Sequence, residues 1–92
     1  MRADVLLNKL CLAKTRSAVK KGFDSGAIKI NGKIAKASKD IAIGDVVEIS
    51  FRTKLLEVKI NQLPSGNVSK KQAQEYYDIL REEKIDEADG LE

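Results

Sequence analysis

The most constraining feature of this chain is a run of alternating apolar and polar residues that an Asn-Gly pair interrupts. Residues 27–30 alternate, Asn31 and Gly32 follow, and a second alternating segment returns. Asn-Gly between two such segments is the strongest short-range signal for a β-hairpin, because both turn positions need a positive φ angle. We predict a hairpin here, with Ile28 and Ile30 facing a core.

More alternation follows the hairpin. Ile41 and Ile43, then the segments 47–51 and 56–60, carry apolar residues at every second position, and a Gly-Asp turn precedes the second of these three. This period is typical of strands with one buried face. The middle of the chain is therefore predicted to form a small, mostly antiparallel sheet.

Two helices are predicted before the sheet. Residues 3–13 carry an apolar stripe at helical spacing, and Cys11 beside it is expected to be a small packed side chain. Thr15 is a suitable N-cap for a second helix, which places Val19 on its apolar face and ends at Gly26.

A third helix is predicted after the sheet. Residues 64–68 read as a linker, and Ser69 with Gln72 forms a capping-box pattern that opens a helix over 69–84. Its apolar stripe directs Tyr76 and Tyr77 to the core. The acidic residues 85–92 lose periodicity and are expected to fray. The predicted organisation is a domain over 1–63, the linker, the C-terminal helix and this tail.

Charge is divided unevenly along the 92 residues. Residues 1–71 hold 15 Lys or Arg and 6 Asp or Glu, a net charge of +9, whereas residues 72–92 hold 2 and 8, a net charge of −6. A basic body with an acidic end favours contact with nucleic acid, although a lysine-rich solvated surface has the same composition.

Several function classes have little support. The chain has one cysteine and no histidine, so an internal disulfide is impossible, no zinc site is expected, and the commonest acid–base catalyst is missing. No cofactor is expected, and the protein is not expected to be an enzyme. No apolar run is long enough to span a membrane and no signal peptide is evident, so we expect a cytoplasmic protein. We also expect the protein to be monomeric when free.

The ordered set of these features resembles the RNA-binding domain named after ribosomal protein S-four, the alpha-L motif. The resemblance covers residues 1–51 and rests on Arg2, Asp4, Leu7, Leu10, Thr15, Arg16, Ser17, Lys20, Gly26, Ile28, Ile30, Asn31, Gly32, Lys36, Ser38, Gly44 and Asp45. It implies an α+β fold with two short N-terminal helices packed on the small sheet. The short remainder is similar to small stand-alone bacterial heat-shock and ribosome quality-control factors.

That resemblance implies non-catalytic binding of structured RNA, with ribosomal RNA and tRNA on the free large ribosomal subunit as partners in stalled-ribosome rescue. The residues suit this partner, because Arg16 can fork onto a phosphate while lysines act as point charges. Two alternatives remain open: an RNA-anchoring accessory subunit of a separate modifying enzyme, and a protein–protein adaptor. The predicted RNA-contacting residues are Arg2, Lys14, Thr15, Arg16, Ser17, Lys20, Lys21, Lys29, Lys33, Lys36 and Lys39.

Overall fold

The structure, a computed structural model, describes residues 1–13, 15–51 and 53–84. The predicted tail over 85–92 lies outside these residues. The described elements follow in chain order: α1 (Ala3–Lys9), α2 (Arg16–Asp24), β1 (Ile28–Ile30), β2 (Lys33–Ile34), β3 (Val46–Ser50), β4 (Lys54–Ile60), α3 (Lys70–Ala73) and β5 (Tyr77–Lys84). No helix of the described residues has the length and apolarity that crossing a membrane requires.

The five strands form one antiparallel sheet in the order β2-β1-β3-β4-β5. The predicted hairpin is β1–β2, with Ile30 opposite Lys33. Ile41 is buried as the alternation predicts, but residues 41–43 form no strand, and Ile43 is exposed at the turn before β3. The predicted α+β architecture, with short helices packed on a mostly antiparallel sheet, is confirmed.

The core lies between the helices and one face of the sheet. Its strand residues alternate with exposed or half-buried neighbours, so only one face of each strand is apolar. The largest fully buried side chains of this cluster are Leu6, Leu7, Leu10, Val19, Ile28, Ile30, Ile41, Val47, Ile49, Val58 and Ile60.

The first helix is shorter than the predicted span 3–13. It ends in a Schellman motif, in which Leu12 N–H donates to the carbonyl of Leu7 (3.0 Å) and Cys11 N–H donates to the carbonyl of Asn8 (3.1 Å). Cys11 takes the left-handed conformation of the motif, with φ 57°. Its side chain is exposed, so the prediction of a packed cysteine is wrong. The motif turns the chain before the apolar stripe ends, and Leu12 is buried outside the helix.

The second helix agrees with its predicted start and end. Thr15 Oγ1 accepts a hydrogen bond from Ala18 N–H at 3.0 Å, which is the predicted N-cap. Gly26 follows the helix with φ 79°, a left-handed position that glycine adopts without strain. Val19 and Phe23 are buried, so the polar face of α2 is left to solvent.

The predicted helix over 69–84 is wrong beyond residue 73. The capping box is present, because Ser69 Oγ accepts from Gln72 N–H at 3.2 Å and the Gln72 side chain accepts from Ser69 N–H. The helix nevertheless ends at Ala73, and Tyr77–Lys84 forms β5 along β4. Pairing satisfies the backbone of the long strand β4, which would otherwise be an open edge.

The helix-free face of the sheet carries a row of charges across four strands. Lys29 lies opposite Glu48, Glu48 opposite Glu57, and Glu57 opposite Arg81. Hydrogen bonding to Glu83, at 2.7 Å, raises the pKa of Arg81, and the charges of Glu83, Glu57 and Glu48 add to this effect. This face is therefore polar and has mixed charge.

Candidate nucleic-acid interface

The exposed face of α2 carries the first group of predicted contact residues. Arg16, Ser17, Lys20 and Lys21 are all exposed, because the apolar residues of this amphipathic helix face the core. Lys20 and Lys21 line one shallow hollow with Ser17, Asp24 and Ser25. Helix α2 therefore brings these four predicted residues together. We call them the α2 group.

Thr15 and Lys14 have different outcomes. Thr15 is exposed but its hydroxyl oxygen caps α2, so its demonstrated role is structural. A capping hydroxyl can still donate its own hydrogen to a phosphate oxygen. Lys14 lies outside the described residues.

A second group of predicted residues gathers at the hairpin and the bend after it. Lys33, Lys36 and Lys39 line a single hollow of about 490 Å³ together with Asn31 and Ser38. All five side chains are exposed. Ser38 was not among the predicted contacts, although it is one of the residues that carry the resemblance. We call the three lysines the bend group.

Arg2 adjoins the bend group. Its backbone pairs with Asp40, and the next residue, Ala3, donates its N–H to the carbonyl of Lys39 at 2.8 Å. The guanidinium donates two hydrogen bonds to Asp4, from Nε to Oδ1 at 3.2 Å and from Nη2 to Oδ2 at 3.1 Å.

The pairing of Arg2 with Asp4 orients the guanidinium rather than burying it. The side chain of Arg2 remains 57% exposed, whereas that of Asp4 is 12% exposed. A forked pair of this kind restricts the rotamers of the arginine and leaves its other N–H groups free to donate. Arg2 is therefore a fixed cation beside the bend group.

Lys29 is separated from both groups. It alternates with the buried Ile28 and Ile30, so it projects from the helix-free face of the sheet. On that face Lys29 lies opposite Glu48. The pleat of β1 directs Lys29 away from α2 and beside a carboxylate. Lys29 therefore does not share a cationic surface with the α2 group and the bend group.

Asn31 has a structural role, as the turn signal predicts. Its amide donates to Asp45 Oδ1 at 3.2 Å, and its Oδ1 accepts from Val46 N–H at 2.9 Å. Asn31 and Gly32 have φ angles of 53° and 78°. A hydrogen bond from Ala42 N–H lowers the pKa of Asp45, and the Asn31 side chain and the charge of Lys39 lower it further. Asp45 therefore ties the hairpin to the turn before β3, a role that sequence reasoning missed because the two residues are distant in the chain.

This surface can bind phosphate groups by charge and hydrogen bonding. Fixed cations on a rigid scaffold suit the phosphate backbone of structured RNA, whose deep major groove excludes side chains. Among the described residues, no group of three or more His, Cys, Asp or Glu side chains could hold a metal ion.

Comparison with known proteins identifies the relatives of this chain. The family model of the S4 domain matches residues 1–47. The RQC P-site tRNA stabilizing factor of Bacillus subtilis is 41% identical over 87 residues, which covers 95% of this chain and 100% of that protein. The protein of the same name from Helicobacter pylori is 34% identical over 77 residues, 83% of this chain and 92% of that protein.

A solved structure has the same fold. The trimeric structure of Vibrio cholerae heat shock protein 15 superposes with a TM-score of 0.80 at 25% identity, covering 86% of this chain and 80% of that one. The sequence match to the Bacillus subtilis protein covers 95% of this chain, and the structural match covers 86% of it. The chain therefore belongs to the S4 domain family, and within it to the group of small proteins that these relatives represent.

Proposed function

We propose that this protein binds structured RNA on the large ribosomal subunit and stabilises a tRNA in the P site during ribosome quality control, without catalysing a reaction. The observation that carries the proposal is the near full-length similarity to factors named for P-site tRNA stabilisation. Two exposed cation groups on the matched segment provide a physical means of binding RNA.

The proposed binding surface combines the α2 group, the bend group and Arg2. Arg16 forks onto a phosphate, and the lysines neutralise neighbouring phosphates as point charges. Asp4 orients Arg2 in advance, which reduces the conformational entropy lost on binding. Lys29 is left out of this surface, because it projects from the helix-free face beside Glu48.

The partners we propose are tRNA and the RNA of the large subunit, and the place of action is the cytoplasm. We further propose that the free protein is a monomer. Sedimentation equilibrium of the purified chain tests this point, with a trimer as the alternative, since the Vibrio cholerae relative has a trimeric structure.

The decisive experiment is a charge reversal on α2. Arg16→Glu combined with Lys20→Glu should abolish co-sedimentation with free large subunits, because two attractive contacts become repulsive. The matched control is Lys59→Glu with Lys71→Glu, which changes the charge equally at exposed positions outside both groups. Circular dichroism should show both variants folded.

Salt dependence provides a second measurement. The logarithm of the RNA affinity should fall linearly with the logarithm of salt concentration, by about 0.7–0.9 for each phosphate neutralised. The double reversal on α2 should flatten this slope and the control should not. Wild-type binding that is insensitive to salt, or normal binding by the α2 variant, would contradict the proposal and favour a protein–protein adaptor.

A further inference from the structure

A third hollow is lined in part by the turn after α1. It has a volume of about 450 Å³, similar to that of the hollow at the bend group. Its lining residues come from the end of α1 and the turn after it, the β3–β4 connection and α3: Asn8, Cys11, Leu12, Ala13, Phe51, Lys54 and Lys70. None of these seven positions is among the predicted contact residues.

The lining of this hollow combines cations with an apolar wall. Lys54 and Lys70 supply two ammonium groups, while Leu12 and Ala13 are almost fully buried beside them. Lys54 Nζ lies 5.3 Å from the centre of the Phe51 ring, a cation–π distance. None of the seven lining residues is acidic, which distinguishes this hollow from the one on α2 that contains Asp24.

Tertiary contacts hold Lys70 at the hollow. Lys9 Nζ in α1 donates to the carbonyl of Gly66 at 3.1 Å and so fixes the segment that leads to α3. The capping box of Ser69 then starts the helix, and the burial of Ala73 seats it on the core. These three interactions place the backbone of Lys70, and its side chain is exposed.

Some of the residues that line the hollow lie close to the α2 group in the sequence. Cys11 and Ala13 line it, and α2 begins at Arg16. Lys54 also pairs with Glu82 at 3.4 Å, and Glu82 lines a different neighbouring hollow, so this carboxylate competes with any anion that Lys54 binds.

We propose that this hollow binds one unpaired nucleotide of the RNA that α2 contacts. Its phosphate lies between Lys54 and Lys70, and its base lies against the apolar wall with the Asn8 amide available to its edge. Unstacked bases in loops and bulges are the parts of RNA that proteins can enclose in this way. The inference rests on the proposed function, since it needs RNA bound at α2.

Cys11 is a native reporter for the test, because it lines the hollow, is exposed and is the only cysteine in the chain. The probes are an RNA hairpin with one bulged nucleotide and its fully paired counterpart. The bulged hairpin should slow alkylation of Cys11 by N-ethylmaleimide, and it should bind the wild-type chain more tightly than the paired hairpin.

Two double variants separate the hollow from general charge. Lys54→Ala with Lys70→Ala should lose the protection of Cys11 and the preference for the bulge, with affinity for the bulged hairpin falling about tenfold. Lys59→Ala with Lys71→Ala removes the same charge from the same two elements, β4 and α3, outside the hollow, and should keep both properties. Glu82→Gln should tighten binding of the bulged hairpin about twofold by releasing Lys54.

The failures of the two proposals are distinguishable. Salt-dependent binding of both hairpins with Cys11 still fully reactive would overturn the nucleotide site and leave the proposed function standing. Equal protection by both hairpins would also overturn it, since a backbone phosphate alone would then occupy the hollow. If the wild-type chain bound neither hairpin nor the large subunit, both proposals would fail.

Discussion

The two edge strands of the sheet, β2 and β5, depend on different contacts for their conformation. One edge is β2, two residues long, which follows a two-residue turn and lies in the cationic part of the surface. The other is β5, eight residues long, which follows α3 and carries five charged residues of both signs. Each edge exposes an isoleucine, with Ile34 73% and Ile79 55% exposed. The two edges therefore expose similar apolar side chains, and the main difference between them is what determines their conformation.

The hairpin edge is encoded locally, whereas the β5 edge depends on its partner strand. Asn31 and Gly32 occupy the left-handed region that a tight hairpin turn requires, so neighbours in the chain determine the pairing. Residues 77–84 have no such turn, and their pairing with β4 includes an irregularity between Glu57 and Val58. A bulge and a row of charges also protect this long edge from pairing with other chains.

The largest expected effect compares isoleucines near the two edges. Ile30→Ala should lower the free energy of unfolding by about 2–5 kcal/mol, because Ile30 is 2% exposed and its loss leaves a cavity. Ile79→Ala should change it by no more than about 0.5 kcal/mol. Urea denaturation followed by circular dichroism measures both. Equal losses would mean that β5 contributes to the core as much as the hairpin does.

The turn itself provides the next test. Asn31→Ala should destabilise the fold by about 2 kcal/mol, because alanine resists the left-handed conformation and the bonds to Asp45 and Val46 are lost. Asn31→Gly keeps the conformation and should cost about half as much. On the other edge, Glu83→Ala breaks the exposed pair with Arg81 and should have no measurable effect on stability. If Asn31→Ala left the stability unchanged, the turn residues would not determine the hairpin.

A third test concerns RNA affinity rather than stability. Lys36→Ala with Lys39→Ala should weaken RNA binding about tenfold, or about 1.4 kcal/mol, and lower the salt slope by about 1.5. Arg81→Ala with Lys84→Ala removes the same charge from the β5 edge and should leave affinity nearly unchanged. Fluorescence anisotropy with a labelled RNA hairpin measures both. A larger loss from the β5 pair would move the interface to the other edge.

Lowering the pH should destabilise the hairpin edge through protonation of Asp45. The pKa of Asp45 is lowered from its usual 3.8, so its stabilising contribution is complete above pH 3.8 and is lost as pH falls through the lowered value. Asp45→Asn should therefore differ most from the wild type near neutral pH and converge with it at low pH. Urea midpoints measured from pH 7 to about pH 2 test this. A constant difference over that range would contradict the role assigned to Asp45.

Alkali should act on the β5 edge, with a smaller effect. Burial raises the pKa of Tyr77 above its usual 10.0, and the nearby charges of Cys11 and Glu82 add to the shift. The folded state then holds this proton more tightly than the unfolded state, so stability falls as pH rises past 10. Tyr77→Phe should lose less stability than the wild type over that range. Parallel curves for the two proteins would show that Tyr77 ionises freely in the folded state.

Much of α2 and of the β1–β2 hairpin could be predicted from the sequence. The Thr15 cap, the end of α2 at Gly26 and the Asn31-Gly32 turn each depend on contacts within a few residues, and each is present. The capping box of Ser69 was also predicted correctly, but α3 stops after one turn. A cap predicts where a helix starts, whereas tertiary packing decides how long it continues.

Residues of the candidate site could be predicted to lie together where a single helix or strand holds them. The α2 group lies on one helix, so helical periodicity alone placed its members together. The sequence could not show that Lys29 lies beside Glu48, because Glu48 comes from another strand. The exposure of Cys11 also escaped prediction, since a left-handed cysteine in a Schellman motif has no clear sequence signal.

The sequence by itself determined the family, through its resemblance to known members. It also determined the cationic helix and the tight hairpin, because these follow from side-chain periodicity and from backbone preferences of adjacent residues. Only the tertiary structure decided that residues 77–84 form a strand, that Lys29 lies beside Glu48, and that Lys54 and Lys70 line one hollow. The physical reason is that strand pairing and the meeting of distant side chains depend on which backbone and surface groups the rest of the fold leaves unsatisfied.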